Sequence, residues 1–322
     1  MTMRALHYRK YGSPDVLQLV DMPPPSPARG QLLIRVCAAS VNPIDWKLGS
    51  GKLRMLRPTS FPHVPGFDVA GEVTAVGRDV EGFTVGARVH ARLDRGVGAA
   101  SAEYTLALPS VTSLMPAGMD YATAAGLPLA GMTALQGLRD HGGVPLAGSK
   151  QRVLVLGASG GVGHLAVQIA RAAGATVVAV SSAKNHALLE SLGAHELIDY
   201  TRPDPYDSLA PCDVVLDCVG VDPVPWLTPA RLNPGGRFAC VMPSASTFLR
   251  AAGNPFTSRT VHPVLLRSNA ADLRVLDGLF AKGQLRVVVD RRFPLESLAA
   301  AWERSMSGRA VGKIILDVEC AA

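Results

Sequence analysis

The chain has 322 residues, 48% hydrophobic and 18% charged, with 32 Lys and Arg against 26 Asp and Glu for a net charge of +6. That length suits two domains, or one only if it is a barrel, and the composition excludes a disordered chain. No run approaches the ~18 apolar residues of a membrane span, and "MTMRALHYRKYG" lacks the apolar core of a signal peptide, so the expected compartment is the cytoplasm.

In chain order, short alternating segments come first: "LQLVDM" (17–22), "QLLIRVCA" (31–38), "AGEVTAVG" (70–77), "GARVHARL" (86–93) and "AEYTLAL" (102–108). Glycines separate them at the spacing of an all-β barrel or sandwich. "SVNPIDWK" (40–47) breaks the second of these with a proline after asparagine, an ordinary turn signal. "YATAAGLPLAGMTALQGLRDHGG" (121–143) is Ala- and Leu-rich and reads as helix interrupted at Pro128.

Strand and helix then alternate. "QRVLVLG" (151–157) is a near-continuous apolar strand, as in a sheet covered on both faces. "GGVGHLAVQIARAAG" (160–174) aligns Val162, Leu165, Ala166, Ile169, Ala170 and Ala173 on one helical face. "TVVAV" (176–180), "HELIDY" (195–200), "CDVVLDCVG" (212–220) and "GGRFACVM" (235–242) are further strands, and "NHALLESLGA" (185–194) a helix. Such βαβ units predict a parallel sheet with right-handed crossovers. "AADLRVLDGLFAKG" (270–283) is helical, and "QLRVVVDRRFPLE" and "GKIILDV" return to strand in a tail that belongs with the β-rich N-terminal part.

Five cysteines at 37, 212, 218, 240 and 320 form no C-x-x-C pair and have no His at ligand spacing, which is neither a zinc pattern nor a disulfide framework. Cys218 and Cys240 read as small core residues. The cations are scattered, the tightest groups being Arg291-Arg292 and "KLRMLR" (52–57), so a solvated surface is expected rather than a nucleic-acid face.

The loop Gly157-Ala158-Ser159-Gly160-Gly161-Val162-Gly163 lies where a buried strand meets an amphipathic helix. Glycines there let backbone approach a pyrophosphate, whose charge meets the free N–H groups of the helix start. A carboxylate at the end of the next strand would bond the ribose of NAD. This chain has Ser181-Ser182-Ala183-Lys184 instead, two hydroxyls and an ammonium that suit a phosphate dianion, and Tyr200 can add a phenolic donor. The expected cofactor is NADPH.

The segments "AASVNPIDWK", "VPGFDVAGEV", "GMTALQGL", "GASGGVGHLAVQIARAAGA", "SLGAHELIDY", "DVVLDCVG" and "GRAVGKIIL" span nearly the whole chain. Together they resemble the zinc-free quinone oxidoreductase and enone reductase branch of the medium-chain dehydrogenase/reductase superfamily. The resemblance implies an α/β fold, with a GroES-like β-barrel catalytic domain over 1–121, completed by 284–322. A Rossmann doubly wound parallel sheet over 122–283 would bind NADPH. It implies that Ser159, Gly160, Gly161 and Val162 line the pyrophosphate, and that Ser182 and Tyr200 meet the 2′-phosphate. Thr133 then lies close to the nicotinamide, Lys313 near the cofactor, and Val219, Gly220, Val241 and Met242 along the adenine ribose and nicotinamide. The family's phosphate lysine commonly sits where this chain has Asn185, so Lys184 carries over less directly.

Zinc-dependent members place a cysteine ligand where "VNPID" stands and a histidine where Phe67 stands, and this chain has neither. A metal-free site is therefore expected. Without a metal to polarise a carbonyl, the expected acceptor is conjugated: a quinone, enone, enal or enoyl thioester whose carbon takes hydride while charge spreads to an oxygen. Asn42 is then the expected donor to the substrate oxygen or the nicotinamide ribose, Lys47 a proton source or electrostatic stabiliser, and Asp45 its orienter. Trp46, Leu53, Met55, Phe248 and Leu266 are expected to wall an apolar pocket. The alternatives are an enoyl reductase acting in trans on carrier-bound polyketide intermediates and a non-enzymatic NADPH- or RNA-binding protein. Expected partners are a small-molecule substrate and a second copy pairing through the edge segment "TVHPVLLR" (260–267), with no specific nucleic acid and no membrane.

Overall fold

The structure, a computed structural model, describes residues 2–93, 96 and 98–318. The chain divides into two compact units, Met1–Leu129 with Ser268–Ala281 and Val287–Ala322, and Ala130–Arg267 with Lys282–Arg286. Helix Ala270–Ala281 thus belongs to the first unit, although its sequence follows directly on the strand–helix alternation. The physical tie is Asp277, which accepts a 2.7 Å hydrogen bond from Ser113 and lies 3.0 Å from His90 Nε2, all three side chains buried in that unit.

The first unit is β-rich, as its valine- and glycine-spaced sequence predicts. Its main sheet runs Val289–Pro294, Lys313–Asp317, Leu32–Val41, Asp68–Val76, Arg88–Arg92 and Thr112–Leu114, with Tyr104–Ala107 also paired to Leu32–Val41. Strand Leu32–Val41 alternates buried and half-buried residues over its first half and is wholly buried over its second, from Val36 onward. Leu32, Ile34, Val36, Val69, Val89 and Trp302 form the core. Register decides what meets at the strand's end. Ile314 pairs with Val41 on one side, and Asp68 pairs with Ser40 on the other.

The predicted helical stretch at 121–143 splits at Pro128. Tyr121–Gly126 ends before it, and Pro128–Gln136 begins on it, where a missing N–H costs nothing.

The second unit is a six-stranded, all-parallel sheet in the order Glu196–Asp199, Thr176–Ser181, Arg152–Leu156, Cys212–Asp217, Leu232–Cys240, Thr260–Pro263. Its apolar strands are buried on both faces, with Leu154, Val178, Val215 and Phe238 at the centre. The chain lays strands outward from Arg152–Leu156 to one edge and then from Cys212–Asp217 to the other, so the strand order reverses between these two parallel strands. In a doubly wound sheet that switch point opens the crevice where ligands bind. Thr260–Pro263 is an edge strand. Cys212, Cys218 and Cys240 are free thiols, whereas Cys37 is disulfide-bonded.

Among the described residues no helix is long and apolar enough to cross a membrane.

Candidate functional site

In the first unit, the strand register gathers four polar side chains. Asn42 follows the central strand and caps helix Pro43–Gly49, whose first position is a proline. Its backbone N–H donates to Asp45 Oδ2 at 2.7 Å, the third residue of the helix reaching back to the cap. The Asn42 amide donates to Asp68 Oδ2 at 2.9 Å and to the Ser40 carbonyl at 3.3 Å, and its oxygen accepts from Lys313 Nζ at 2.6 Å. Lys313 Nζ lies 3.9 Å from Asp68 Oδ2, and Leu129 N–H donates to Asp68 Oδ1 at 3.1 Å. Asn42, Asp45, Asp68 and Lys313 are all buried.

Two carboxylates and one ammonium share this interior. Burial pushes Asp68 up, opposed by the nearby Lys313 and the Asn42 hydrogen bond, and lowers Lys313, opposed by Asp68 and Asp45. Burial also raises Asp45 to about 7, against the hydrogen bond from Asn42 N–H. Asp45 Oδ1 is buried with no hydrogen-bond partner, an arrangement that a protonated carboxyl tolerates far better than a carboxylate.

Three expectations change here. Asn42 has both amide hydrogens engaged, so it is not a free donor to a substrate oxygen. Lys313, expected near the cofactor, is buried in the first unit with an ammonium hydrogen committed to Asn42. Asp45 does not orient Lys47, because residues two apart on a helix point to different sides. Asp45 turns inward, while Lys47 Nζ sits 5.6 Å from the centre of the Trp46 ring. Partial burial and the neighbouring Lys52 lower the Lys47 pKa. Trp46 is half-buried and donates to Ser305 Oγ at 3.1 Å, but Met55 is 89% exposed and Phe248 46% exposed, so neither walls an enclosed pocket. Asp68, which completes this cluster, was missed by sequence reasoning. Its signal is an acid at the first position of a strand, beside the apolar run Val69-Ala70-Gly71.

In the second unit, loops after three neighbouring strands converge at the switch point. Gly157 has a φ of +71°, in the region that favours glycine, and an added Cβ there would meet Val219 Cγ2 at 2.7 Å. A Cβ on Gly163 would meet the Gly157 carbonyl at 2.3 Å, so this glycine lets helix Gly163–Ala172 seat against the turn. On Gly160 the nearest atom would be 3.3 Å away, and the protein itself asks much less of that position. Ser159, Gly160, Gly161 and Val162 are half-exposed around the helix start. Gly160 N–H donates to the Gly157 carbonyl at 3.0 Å, while Gly161 and Val162, just before a ten-residue helix, offer backbone that fits a dinucleotide pyrophosphate.

Val219 and Gly220 are held by Asp217, a fully buried carboxylate that accepts from the N–H groups of Val219 (2.9 Å), Gly220 (3.0 and 3.1 Å) and Val221 (2.9 Å). Val241 N–H donates to the Asp217 carbonyl at 2.8 Å, and an added Cβ on Gly220 would meet Met242 Cβ at 3.4 Å. The residues expected along the cofactor from these two strands are therefore neighbours. Thr133 lies buried on helix Pro128–Gln136.

At the end of strand Thr176–Ser181, Asn185 bridges the two serines. Its Nδ2 donates to Ser159 Oγ at 3.0 Å and to Ser182 Oγ at 3.4 Å. Both hydroxyls then accept from Asn185 and keep their own hydrogens to donate elsewhere. Asn185 joins the phosphate loop to the next strand's end, a role no sequence pattern announced. Lys184 is exposed and Tyr200 is 53% exposed. Ser181 is a correction: it is buried, and its hydroxyl donates to the Ser182 carbonyl at 3.0 Å. Asp199 was also missed. It pairs in register with Ser181, and its Oδ1 accepts from Thr201 N–H at 3.0 Å and from Thr201 Oγ1 at 2.7 Å, which holds its carboxyl below the ordinary range.

Among the described residues no group of three or more His, Cys, Asp or Glu is placed to hold a metal ion.

Two family models match the chain, the alcohol dehydrogenase GroES-like domain over residues 28–120 and zinc-binding dehydrogenase over residues 192–316. The chain is 36% identical to a chloroplast envelope quinone oxidoreductase homolog of Arabidopsis thaliana, over 98% of each. It is 34% identical to an NADPH-dependent alkenal/one oxidoreductase of the same plant, over 98% of this chain and 79% of that one. Among solved structures, the quinone oxidoreductase from Coxiella burnetii superposes with a TM-score of 0.87 at 33% identity, covering 99% of this chain and all of that one.

Proposed function

This chain belongs to the quinone oxidoreductase and enone reductase branch of the medium-chain dehydrogenase/reductase superfamily, and on that premise we propose that it transfers hydride from NADPH to a conjugated acceptor, a quinone or an α,β-unsaturated carbonyl, without a metal. The observation that carries the cofactor half is the rim formed by Ser159, Asn185 and Ser182 beside an open glycine loop.

Bound NADPH supplies the hydride. The N–H groups of Gly161 and Val162 would hold its pyrophosphate, with Ser159 and Gly160 lining it, and Asp217 fixes the Val219–Gly220 turn. Ser182, Lys184 and Tyr200 receive the 2′-phosphate. On the acceptor, hydride adds to the β-carbon or a quinone carbon and charge collects on an oxygen. Lys47 is the proton donor or electrostatic stabiliser in this reading, since its lowered pKa makes the ammonium a stronger acid than a free lysine. Asn42, Asp68 and Lys313 fix the strand end and helix that carry Lys47. A second copy pairs along the edge strand Thr260–Pro263, with Pro263 limiting the number of ladder bonds.

The test is NADPH oxidation with a panel of quinones, enones and enals, run with and without a chelator. The proposal expects turnover on at least one acceptor class, unchanged by chelation. Tight NADPH binding with no turnover on any acceptor would overturn the enzyme reading.

A further inference from the structure

From Trp46 to Phe67 the chain contains no Asp or Glu, yet it carries Lys47, Lys52, Arg54 and Arg57. Within it, two overlapping turns push the chain outward: Arg54 N–H donates to Gly51 O at 3.1 Å, and Leu56 and Arg57 N–H donate to Leu53 O at 3.0 and 2.7 Å. At their tip Met55 is 89% exposed and Leu56 83% exposed. Lys52, Arg54 and Arg57 around them are exposed as well.

A second segment lies alongside. Tyr8 and His63 exchange backbone hydrogen bonds of 3.0 and 2.9 Å, and Thr59 N–H donates to the Tyr11 hydroxyl at 2.9 Å. Tyr11 also meets Phe61 edge-on at 5.0 Å. These contacts hold the exposed Arg9 and Lys10 beside the turn, next to Phe61, which is itself 40% exposed. No ion pair with an acid engages any of these five cations among the described residues.

Exposed apolar side chains are ordinary when scattered singly. Two adjacent ones, almost fully exposed on an ordered tip with a third nearby and ringed by unpaired cations, match what an anionic lipid surface binds. Aliphatic chains enter the headgroup region, and lysine and arginine meet lipid phosphates. A nucleic acid would use the same cations, but the most exposed side chains, Met55 and Leu56, offer no ring on which a base can stack, and the Phe61 ring is packed edge-on with Tyr8 and Tyr11. We propose that the turn 51–61, with Arg9 and Lys10, is an interfacial contact that docks the protein peripherally on an anionic bilayer. This goes beyond the reaction proposed above, and it revises the expectation of no membrane, which rested on the lack of a spanning segment.

The test is co-sedimentation of the full chain with phosphatidylcholine vesicles, with or without phosphatidylglycerol, in low and high salt. The expected result is binding only to the phosphatidylglycerol vesicles, reversed by salt. Replacing Lys52, Arg54 and Arg57 by Gln weakens it by about fivefold per cation, on the order of a hundredfold together. Met55→Ser with Leu56→Ser weakens it by about tenfold or more. Both variants alter only exposed side chains, and a melting curve matching the parent shows that they are folded. Absence of binding to anionic vesicles, equal binding to both vesicle types, or binding unaltered in the folded variants overturns the proposal. So does tighter, variant-sensitive binding to an RNA oligomer that displaces the protein from vesicles. Because the parent chain's lipid and salt dependence is read without any substitution, the proposal stays testable whatever the variants do.

Discussion

At the end of strand Leu32–Val41, Asn42 gives both amide hydrogens and its oxygen to Ser40, Asp68 and Lys313, and the whole group is buried. At the end of strand Arg152–Leu156, the glycine loop leaves the Gly161 and Val162 backbone open, and Asn185 turns two serine hydroxyls into free donors. Apart from Asp45 Oδ1, the first cluster closes its hydrogen bonds internally and holds elements together. The second leaves polarity unresolved, which is what a ligand-binding rim requires. Residues that look alike in sequence, a polar turn after an apolar strand, thus divide into structural and binding roles by whether their hydrogen bonds close inside the protein.

That contrast can be broken most forcefully at Lys313. Lys313→Ala leaves Asp68 buried without its cation and should cost about 3–5 kcal/mol of stability in denaturant unfolding. Adding Asp68→Asn should restore more than half of the loss. A loss that the second substitution does not relieve would show that the two charges are not coupled.

Asp45 offers the next effect. Its pKa in the folded protein, about 7, lies above that of the unfolded chain. As pH rises from below 4 the unfolded form therefore releases this proton first, and stability falls until the folded pKa is passed. Between pH 5 and 7 the decline attributable to Asp45 should be roughly 2–3 kcal/mol. Asp45→Asn should remove that portion of the slope in unfolding curves measured across this range.

The glycines of the binding rim separate packing from ligand binding. Gly163→Ala drives a methyl into the Gly157 carbonyl and should lower stability by about 1–3 kcal/mol. Gly160→Ala meets little protein, so its melting curve should stay near the parent's while NADPH affinity in calorimetry falls by about tenfold, roughly 1.4 kcal/mol. The smallest effect is expected at Ser182. Ser182→Ala should weaken NADPH by about 1 kcal/mol, the worth of one hydrogen bond, and leave NADH unchanged.

The fold was legible because its signals are local: apolar runs, one amphipathic helix and a glycine loop between them. Pro128 announced the break between two helices for the same reason. The first cluster was only half legible. Asn42 and Lys313 are 271 positions apart, and only sheet register brings them together. Asp68 begins a strand that also carries Glu72, and nothing nearby in sequence marks its partner. On the nucleotide side, Ser181 misled because strand alternation turns one of two adjacent serines inward. Asp199 was missed because it lies across a strand pair instead of along the chain.

Hydride transfer from NADPH to a conjugated carbon is tested by turnover of an enone with NADPH deuterated at nicotinamide C4, followed by mass spectrometry of the product. One deuterium is expected at the former β-carbon, with a proton from solvent at the α-carbon. A product whose β-carbon carries no deuterium from either C4-deuterated epimer of NADPH would contradict it.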